Sequence, residues 1–208
     1  MLIVTSAVTP KGERRRGALV SAAADLLCEG GFEAVRHRAV ARRAGLPLAS
    51  TTYYFASLEE LIAAAVEYVA MREAAELQTR VAALSRRRRG AESTADVLVE
   101  LLVDAPGEAP KEQLISRYER YIACARLPGL RDIQRRVLRQ RTEAVSEAVE
   151  RSGRSVRSDL LSALVCAVDG AVVSALVDDG GTPQANARAT LLDVIDVLAP
   201  YDPRPAHV

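Results

Sequence analysis

Arg38-Ala39-Val40-Ala41-Arg42-Arg43-Ala44-Gly45-Leu46-Pro47-Leu48-Ala49-Ser50-Thr51-Thr52-Tyr53-Tyr54-Phe55-Ala56-Ser57-Leu58-Glu59-Glu60-Leu61 reads as two short helices joined by a tight turn, with a third helix starting directly after. Residues three and four apart share a helix face, so Val40, Ala41 and Ala44 turn inward and Arg38, Arg42 and Arg43 outward. Gly45 ends the first helix, because glycine enters the left-handed conformation that closes a helix. Pro47 opens the second with its φ already set. That second helix, Leu48 to Tyr54, is under two turns long. Thr51 and Phe55 lie on its inner side, and Leu48, Ala49, Ser50, Thr52, Tyr53 and Tyr54 cover the outer side. Ser57 and Glu60 have the spacing of a capping box, which starts a new helix near Leu58.

Two short helices, a glycine turn and an exposed second helix form the helix-turn-helix pattern, whose second helix is sized for the DNA major groove. A packed helical hairpin without any DNA role can carry the same turn. The particular string goes further. Gly30-Gly31-Phe32, Val40-Ala41, Ala44-Gly45-Leu46, Tyr54-Phe55 and Ser57-Leu58-Glu59-Glu60-Leu61 resemble the N-terminal DNA-binding domain of TetR-family transcriptional regulators, over about Arg14 to Ala65. Past that point only the all-helical layout is similar.

Working back towards the N-terminus, a helix runs from about Glu13 to Glu29, with Leu19, Ala22, Ala23, Leu26 and Leu27 on one stripe. Gly30-Gly31 stops it, and Phe32 is expected to pack under the hairpin. Arg14, Arg15 and Arg16 oppose the helix dipole at its start, a conflict that a nearby phosphate would relieve. Met1 to Pro10 lacks the charged and apolar regions of a secretory signal and reads as a frayed arm.

Working forward, a long fourth helix spans about Leu58 to Leu84 and is long enough to bridge two units. Arg86 to Arg89 follow it and complement its C-terminal dipole. Five more helices are expected at about Thr94 to Asp104, Pro110 to Arg126, Gly129 to Ser152, Ser155 to Asp178 and Pro183 to Leu198, separated at Pro106-Gly107, Pro128-Gly129, Ser152-Gly153 and Gly180-Gly181. No segment alternates with period two. The fold class is therefore all-α: a three-helix head with the helix-turn-helix (residues 1–56) and a larger C-terminal helical bundle (residues 57–208), about nine helices in total. Pro200 to Val208 reads as a loose tail.

A chain of 208 residues with 28 basic and 27 acidic side chains is close to neutral overall. Its first 90 residues nevertheless carry 14 Arg and Lys against 9 Asp and Glu, while the remainder carries 14 against 18. A basic front half suits contact with DNA. Cys28, Cys124 and Cys166 are far apart and odd in number, so they read as small apolar residues of a reducing, cytoplasmic compartment. His37 and His207 are too isolated to build a metal site, and no cofactor is expected. No G-x-S-x-G, H-E-x-x-H or phosphate loop is present, so nothing points to an enzyme.

Leu160 to Val177 is apolar nearly all round, but a central Asp169-Gly170 is costly in lipid, so no membrane span is expected. An apolar girdle means burial on both sides, either in one monomer core or against a partner. The last helix, with Leu191, Leu192, Val194, Ile195, Val197 and Leu198, poses the same choice. The resemblance favours the partner, since TetR-family proteins dimerise through their last two long helices; Leu161, Val165, Val168, Val172, Leu191 and Ile195 are then the expected homodimer interface. Tyr118, Tyr121 and Cys124, with Tyr68 and Met71 from the fourth helix, are the expected lining of a pocket for a small, mostly apolar effector, which the family holds in this part of the chain.

On the same resemblance, Leu48, Ala49 and Ser50 meet base edges, with Ser50 as the one hydrogen-bonding side chain. Thr52, Tyr53, Tyr54, Arg36 and Arg38 correspond to phosphate-facing positions, joined by Arg14. The family commonly has tyrosine where Thr52 stands, lysine where Leu58 stands and serine where Pro47 stands. The expected partners are a pseudo-palindromic double-stranded DNA operator, a small effector and a second copy of the chain. The rival reading is a helical dimeric adaptor or ligand-binding protein with no specific DNA affinity.

Overall fold

The computed structural model describes residues 9–104, 111–178 and 180–201. The N-terminal arm up to residue 8, the Pro106-Gly107 break, the Pro110 helix start, and His207 with the tail from residue 202 lie outside the described residues. Nine helices form among the described residues: α1 (Pro10–Ala34), α2 (His37–Arg43), α3 (Ala49–Tyr54), α4 (Leu58–Ala83), α5 (Ala91–Leu102), α6 (Lys111–Arg126), α7 (Pro128–Arg151), α8 (Ser158–Val177) and α9 (Pro183–Leu198). No strand forms among them; a single antiparallel bridge pairs Arg154 with Tyr201.

Local chemistry sets most of the boundaries. Thr9 caps α1, its hydroxyl oxygen accepting from the Gly12 N–H at 3.2 Å, and Pro10 follows at the first turn, where its missing N–H costs nothing. The helical course breaks at Gly30–Gly31, where Gly31 sits at φ 64, ψ −164. That region is open essentially to glycine alone. A Cβ built on Gly31 would also lie 2.9 Å from Oε2 of Glu119 on α6. Gly31→Ala is therefore expected to lower stability by about 1–3 kcal/mol in chemical denaturation, whereas Gly17→Ala, on an unobstructed helical position, gains a few tenths to about 1 kcal/mol.

Two cores form. In the first, Leu19, Ala23 and Leu27 of α1 meet Val40 of α2, Phe55 after α3, and Leu61, Ala65 and Val69 of α4. Cys124 of α6 and Leu130 of α7 complete this core, although they follow residue 120 in the chain. Phe32 packs at its edge, as expected. In the second core, Leu98 and Leu102 of α5, Val145 and Val149 of α7, Leu164, Val168 and Val172 of α8, and Leu191 and Ile195 of α9 interlock. The long α4 joins the two, with Leu61 to Val69 in the first and Val81 in the second.

The second core corrects the expected dimer residues. Val165, Val168, Val172, Leu191 and Ile195 are buried inside the protomer, and Leu161 is half-buried against the same core. The reason is burial: most of the larger aliphatic side chains of α8 turn inward, where they remove the most apolar surface from water. What α8 leaves outside is a stripe of mostly small residues, including Ser162, Ala163, Cys166, Gly170, Val173 and Val177.

The chain end is tied down rather than loose as far as Tyr201. Arg154 is buried at 1 % exposure, with Nη1 donating to Asp196 at 2.7 Å and to the Ala199 carbonyl at 2.9 Å. Its guanidinium and that of Arg88 each lie 4.2 Å from the centre of the Tyr201 ring, a geometry in which the ring face attracts the cation. The Tyr201 hydroxyl donates to the Arg89 carbonyl at 3.1 Å. The basic run thus has a structural role at Arg89, which is buried and donates to the Arg151 carbonyl, while Arg86, Arg87 and Arg88 stay exposed.

Candidate DNA-binding face and ligand cleft

The hairpin closes as its residue types require. Gly45 takes φ 64, and the Leu46 N–H reaches back to the Ala41 carbonyl at 3.0 Å, the crossing bond of a left-handed helix end. α3 is short, and its buried Thr51 anchors it by donating from Oγ1 to the Leu48 carbonyl at 2.8 Å. The Ser57 hydroxyl accepts from the Glu60 N–H at 3.2 Å, while the Glu60 carboxylate reaches one residue further than a standard capping box and accepts from Ala56 N–H at 2.6 Å. These contacts hold α3 against the head core with one side outward.

That outward side carries Leu48, Ala49, Thr52 and Tyr53, with Tyr53 80 % exposed. Ser50 is half-buried, and Tyr54 packs on the head core with its ring edge-to-face to Tyr53, centroids 4.9 Å apart. Thr52 Oγ1 donates to the Ala49 carbonyl at 3.2 Å, which leaves its lone pairs outward. Around α3 stand the exposed guanidiniums of Arg38 and Arg42. Arg36 is tied to Glu33 and donates to the Val35 carbonyl at 3.1 Å, so it reaches solvent with part of its donor set spent. Arg14 donates to the Pro10 carbonyl at 3.3 Å, and Arg16 lies over the Phe55 ring at 4.9 Å, which offsets the unfavourable position of these cations at a helix start.

The second site is a cleft of about 310 Å³ between α1, α4 and α6. Its outer wall is charged: Arg72, Glu73, Glu76 and Arg80 of α4, Asp104 after α5, and Arg117 and Arg120 of α6, with Cys28 of α1. An adjoining cavity of about 70 Å³ shares Glu73, Glu76, Arg80, Asp104 and Arg117 with it and adds apolar surface from Ala70, Leu77, Leu101, Leu102, Tyr121 and Val137, flanked by Arg141 of α7. Glu73 accepts from Arg120 at 2.5 Å. Asp104 accepts from Arg80 at 2.7 Å and from Arg117 at 3.0 Å, and holds φ 83, rare for a residue other than glycine. Burial alone would push the Asp104 carboxyl up; Arg117 and Arg80 outweigh it and hold it below the ordinary carboxylate range. Behind the cleft, Arg141 forms two bonds to Asp169, at 2.9 and 3.0 Å, and the Tyr118 hydroxyl donates to the same carboxylate at 2.9 Å. Burial and the Asp169 charge push the Tyr118 phenol up, so it stays a donor at neutral pH.

Of the residues expected to line a pocket, only Tyr121 does so directly. Tyr118 stands one step behind, on Asp169. Cys124 is buried in the head core, and Tyr68 and Met71 are exposed on another side of α4, because the face that lines the cleft runs through 70, 73, 77 and 80. The charged cleft differs from the mostly apolar lining expected, to which the adjoining cavity comes closer. Glu73, Arg80 and Arg141 were not among the expected residues; Arg117, Arg120 and Tyr121, three and four apart on a helix that also buries Leu114 and Cys124, carry the signal for them. Among the described residues no cluster of His, Cys, Asp and Glu could hold a metal ion.

Comparison with known families matches both halves of this arrangement. The model for bacterial regulatory proteins of the tetR family covers residues 19–65, and that for the tetracyclin repressor-like C-terminal domain covers residues 89–197. The chain belongs to the TetR family. As a TetR-family member it is a helix-turn-helix transcriptional regulator. Among solved structures it is similar to the transcriptional regulator SCO7518 of Streptomyces coelicolor A3(2), at 26 % identity and TM-score 0.65, over 88 % of this chain and 96 % of that one. It is similar also to the multidrug binding protein EbrR complexed with imidazole, at 27 % identity and TM-score 0.63, over 92 % and 97 % of the two chains. The EbrR complex with proflavin gives 27 % identity and TM-score 0.63, over 86 % and 98 %. No curated protein matches the chain.

Proposed function

We propose that this TetR-family protein is a repressor that binds a pseudo-palindromic operator as a homodimer and is released by a small molecule held in the α1–α4–α6 cleft. One observation carries the coupling: the helices that wall the cleft also build the head. Cys28 on the cleft wall belongs to α1, and Cys124 of α6, one turn after Arg120, is buried in the head core. A ligand that spreads α6 from α4 therefore moves the frame on which α2 and α3 stand, and the same linkage makes DNA weaken ligand binding by an equal factor.

On DNA, α3 enters the major groove with Leu48, Ala49 and Ser50 at base edges and Thr52, Tyr53, Arg38 and Arg14 at phosphates. Tyr54 acts from behind, by fixing the Tyr53 ring. Arg36 joins them once its bond to Glu33 opens. The exposed stripe of α8, with Val197 of α9 beside it, is the surface that a second copy covers.

Fluorescence anisotropy with DNA from upstream of the chain's own gene, taken across a salt series, tests the reading. Wild type is expected to bind that DNA far more tightly than random DNA. Tyr53→Ala is expected to weaken both by about thirtyfold, since two protomers each lose a phosphate contact worth about 1 kcal/mol, and Arg38→Gln to reduce the salt slope by about two for the dimer. Equal, weak binding of both DNAs by wild type and variants would overturn the reading and leave a helical adaptor.

A further inference from the structure

Resting on the reading of the cleft as the effector site, we propose that its ligand is an amphipathic organic acid, whose carboxylate sits among the rim guanidiniums and whose apolar body lies on Leu77, Leu101, Leu102 and Val137. The walls carry Arg72, Arg80, Arg117, Arg120 and Arg141 against Glu73, Glu76 and Asp104, and with Arg141 held by Asp169 from behind, four guanidiniums face three carboxylates, an excess of one positive charge. Guanidiniums present paired N–H donors that match a carboxylate, and they do so best where water is scarce.

The pairing inside the cluster shows where such an acid goes. Asp104 is the carboxylate shared by Arg80 and Arg117, which otherwise donate to the Glu100 and Leu102 carbonyls, so it already occupies the place of an acidic ligand. It does so from a backbone at φ 83, a conformation that L residues rarely adopt. A ligand carboxylate that replaces it keeps both guanidiniums paired and lets residue 104 relax, so the exchange costs little. Arg72 is the least engaged of the five, 3.7 Å from both Asp25 and the Cys28 sulfur, and is free to turn onto the same anion. The adjoining cavity is lined by Leu77, Leu101, Leu102 and Val137, so a bare inorganic anion among the guanidiniums would leave it unfilled. A cationic ligand would face four guanidiniums and find Glu76 as the acid with no ion-pair partner among the described residues.

Three probes of equal length separate charge from apolar burial: octanoate, octanamide and octylammonium, titrated calorimetrically into the full-length protein. Octanoate is expected to bind about tenfold or more tightly than the other two, the difference that hydrogen bonds to a charged group make. Arg72→Gln and Glu76→Gln change exposed side chains, so both variants fold. Arg72→Gln is expected to weaken octanoate about fivefold and Glu76→Gln to tighten it about two- to threefold. Equal affinity for octanoate and octanamide overturns the proposal, as does tighter binding of octylammonium that Glu76→Gln weakens. Operator anisotropy with each probe keeps the two readings apart. Release of DNA by octylammonium or proflavin but not by octanoate leaves the cleft as effector site and overturns the acid; octanoate binding with the stated charge dependence but without effect on DNA supports the acid and removes the effector role.

Discussion

Gly170→Arg is expected to leave the protomer folded and to abolish both dimerisation and tight operator binding. Gly170 lies on the outer stripe of α8, and a Cβ built there meets nothing within 4 Å. Within one protomer the position is thus open, and replacing a helical glycine even favours the helix by up to about 1 kcal/mol. Between two protomers the situation reverses. Ser162, Ala163, Cys166 and Gly170 are small, so in the homodimer proposed above two α8 helices crossing at this stripe would come close together. An arginine on each partner places two cations and two long side chains at that crossing. Loss of the dimer uncouples the two heads, so the two half-sites no longer add their binding energies, and operator affinity falls by several orders of magnitude. Sedimentation velocity reads the mass, circular dichroism the fold and anisotropy the DNA. Gly170→Ala is the control, expected to remain dimeric or to weaken only slightly. A Gly170→Arg protein that sediments as a dimer would place the interface elsewhere.

The second large effect is expected at Asp169. Its carboxylate takes two bonds from Arg141 and one from Tyr118, with the Arg141 side chain 9 % exposed and that of Asp169 22 % exposed. Burial alone would draw the Arg141 guanidinium down, but Tyr121 and Asp169 hold it above its ordinary value, so it stays charged throughout. Asp169→Ala therefore leaves the buried Arg141 cation with the Tyr121 hydroxyl, at 3.1 Å, in place of a carboxylate, and the half-buried Tyr118 phenol without its acceptor. Such a loss costs about 3–5 kcal/mol when a pair is fully enclosed, and about 3 kcal/mol is expected here because Asp169 keeps some solvent. Replacing both members, with Arg141→Leu and Asp169→Leu together, is expected to recover most of this loss, since an apolar pair of similar volume removes the unpaired charge as well as the bond. Urea denaturation of the two single variants and the double variant gives the coupling energy directly. Additive losses would mean that the pair contributes little.

The parts of the fold written in local chemistry were legible in the sequence. Gly45, Pro47 and Ser57 act on their own neighbours, so the hairpin and the start of α4 could be read within a few residues. The long α4 and the two apolar helices at the end followed from pattern. The side of each helix that meets a partner was less legible, because it depends on contacts remote in the chain. Cys124 illustrates this. Its spacing from Tyr121 suggested a shared pocket, yet one turn of α6 separates a side chain on the cleft from one in the head core. The α8 residues show the same limit in another form. On a helix apolar on every side, periodicity cannot distinguish the inward stripe from the outward one, and size does not separate them either, since Ala175 is buried while Val173 and Val177 are exposed. The charged cleft rim was obscured because arginine is so abundant in this chain that Arg117 and Arg141 did not stand out.

The shared core of the head bears on how such regulators can be recombined. Cutting the chain after residue 56 would leave Leu19, Leu27, Val40 and Phe55 facing a void where Leu61, Val69, Cys124 and Leu130 belong. The reading head is thus no portable cassette. A chimaera that aims to give this sensor a new operator must carry matched surfaces from α4, α6 and α7 along with the graft, and the order in which those surfaces drift apart between relatives limits which heads any one sensor can borrow.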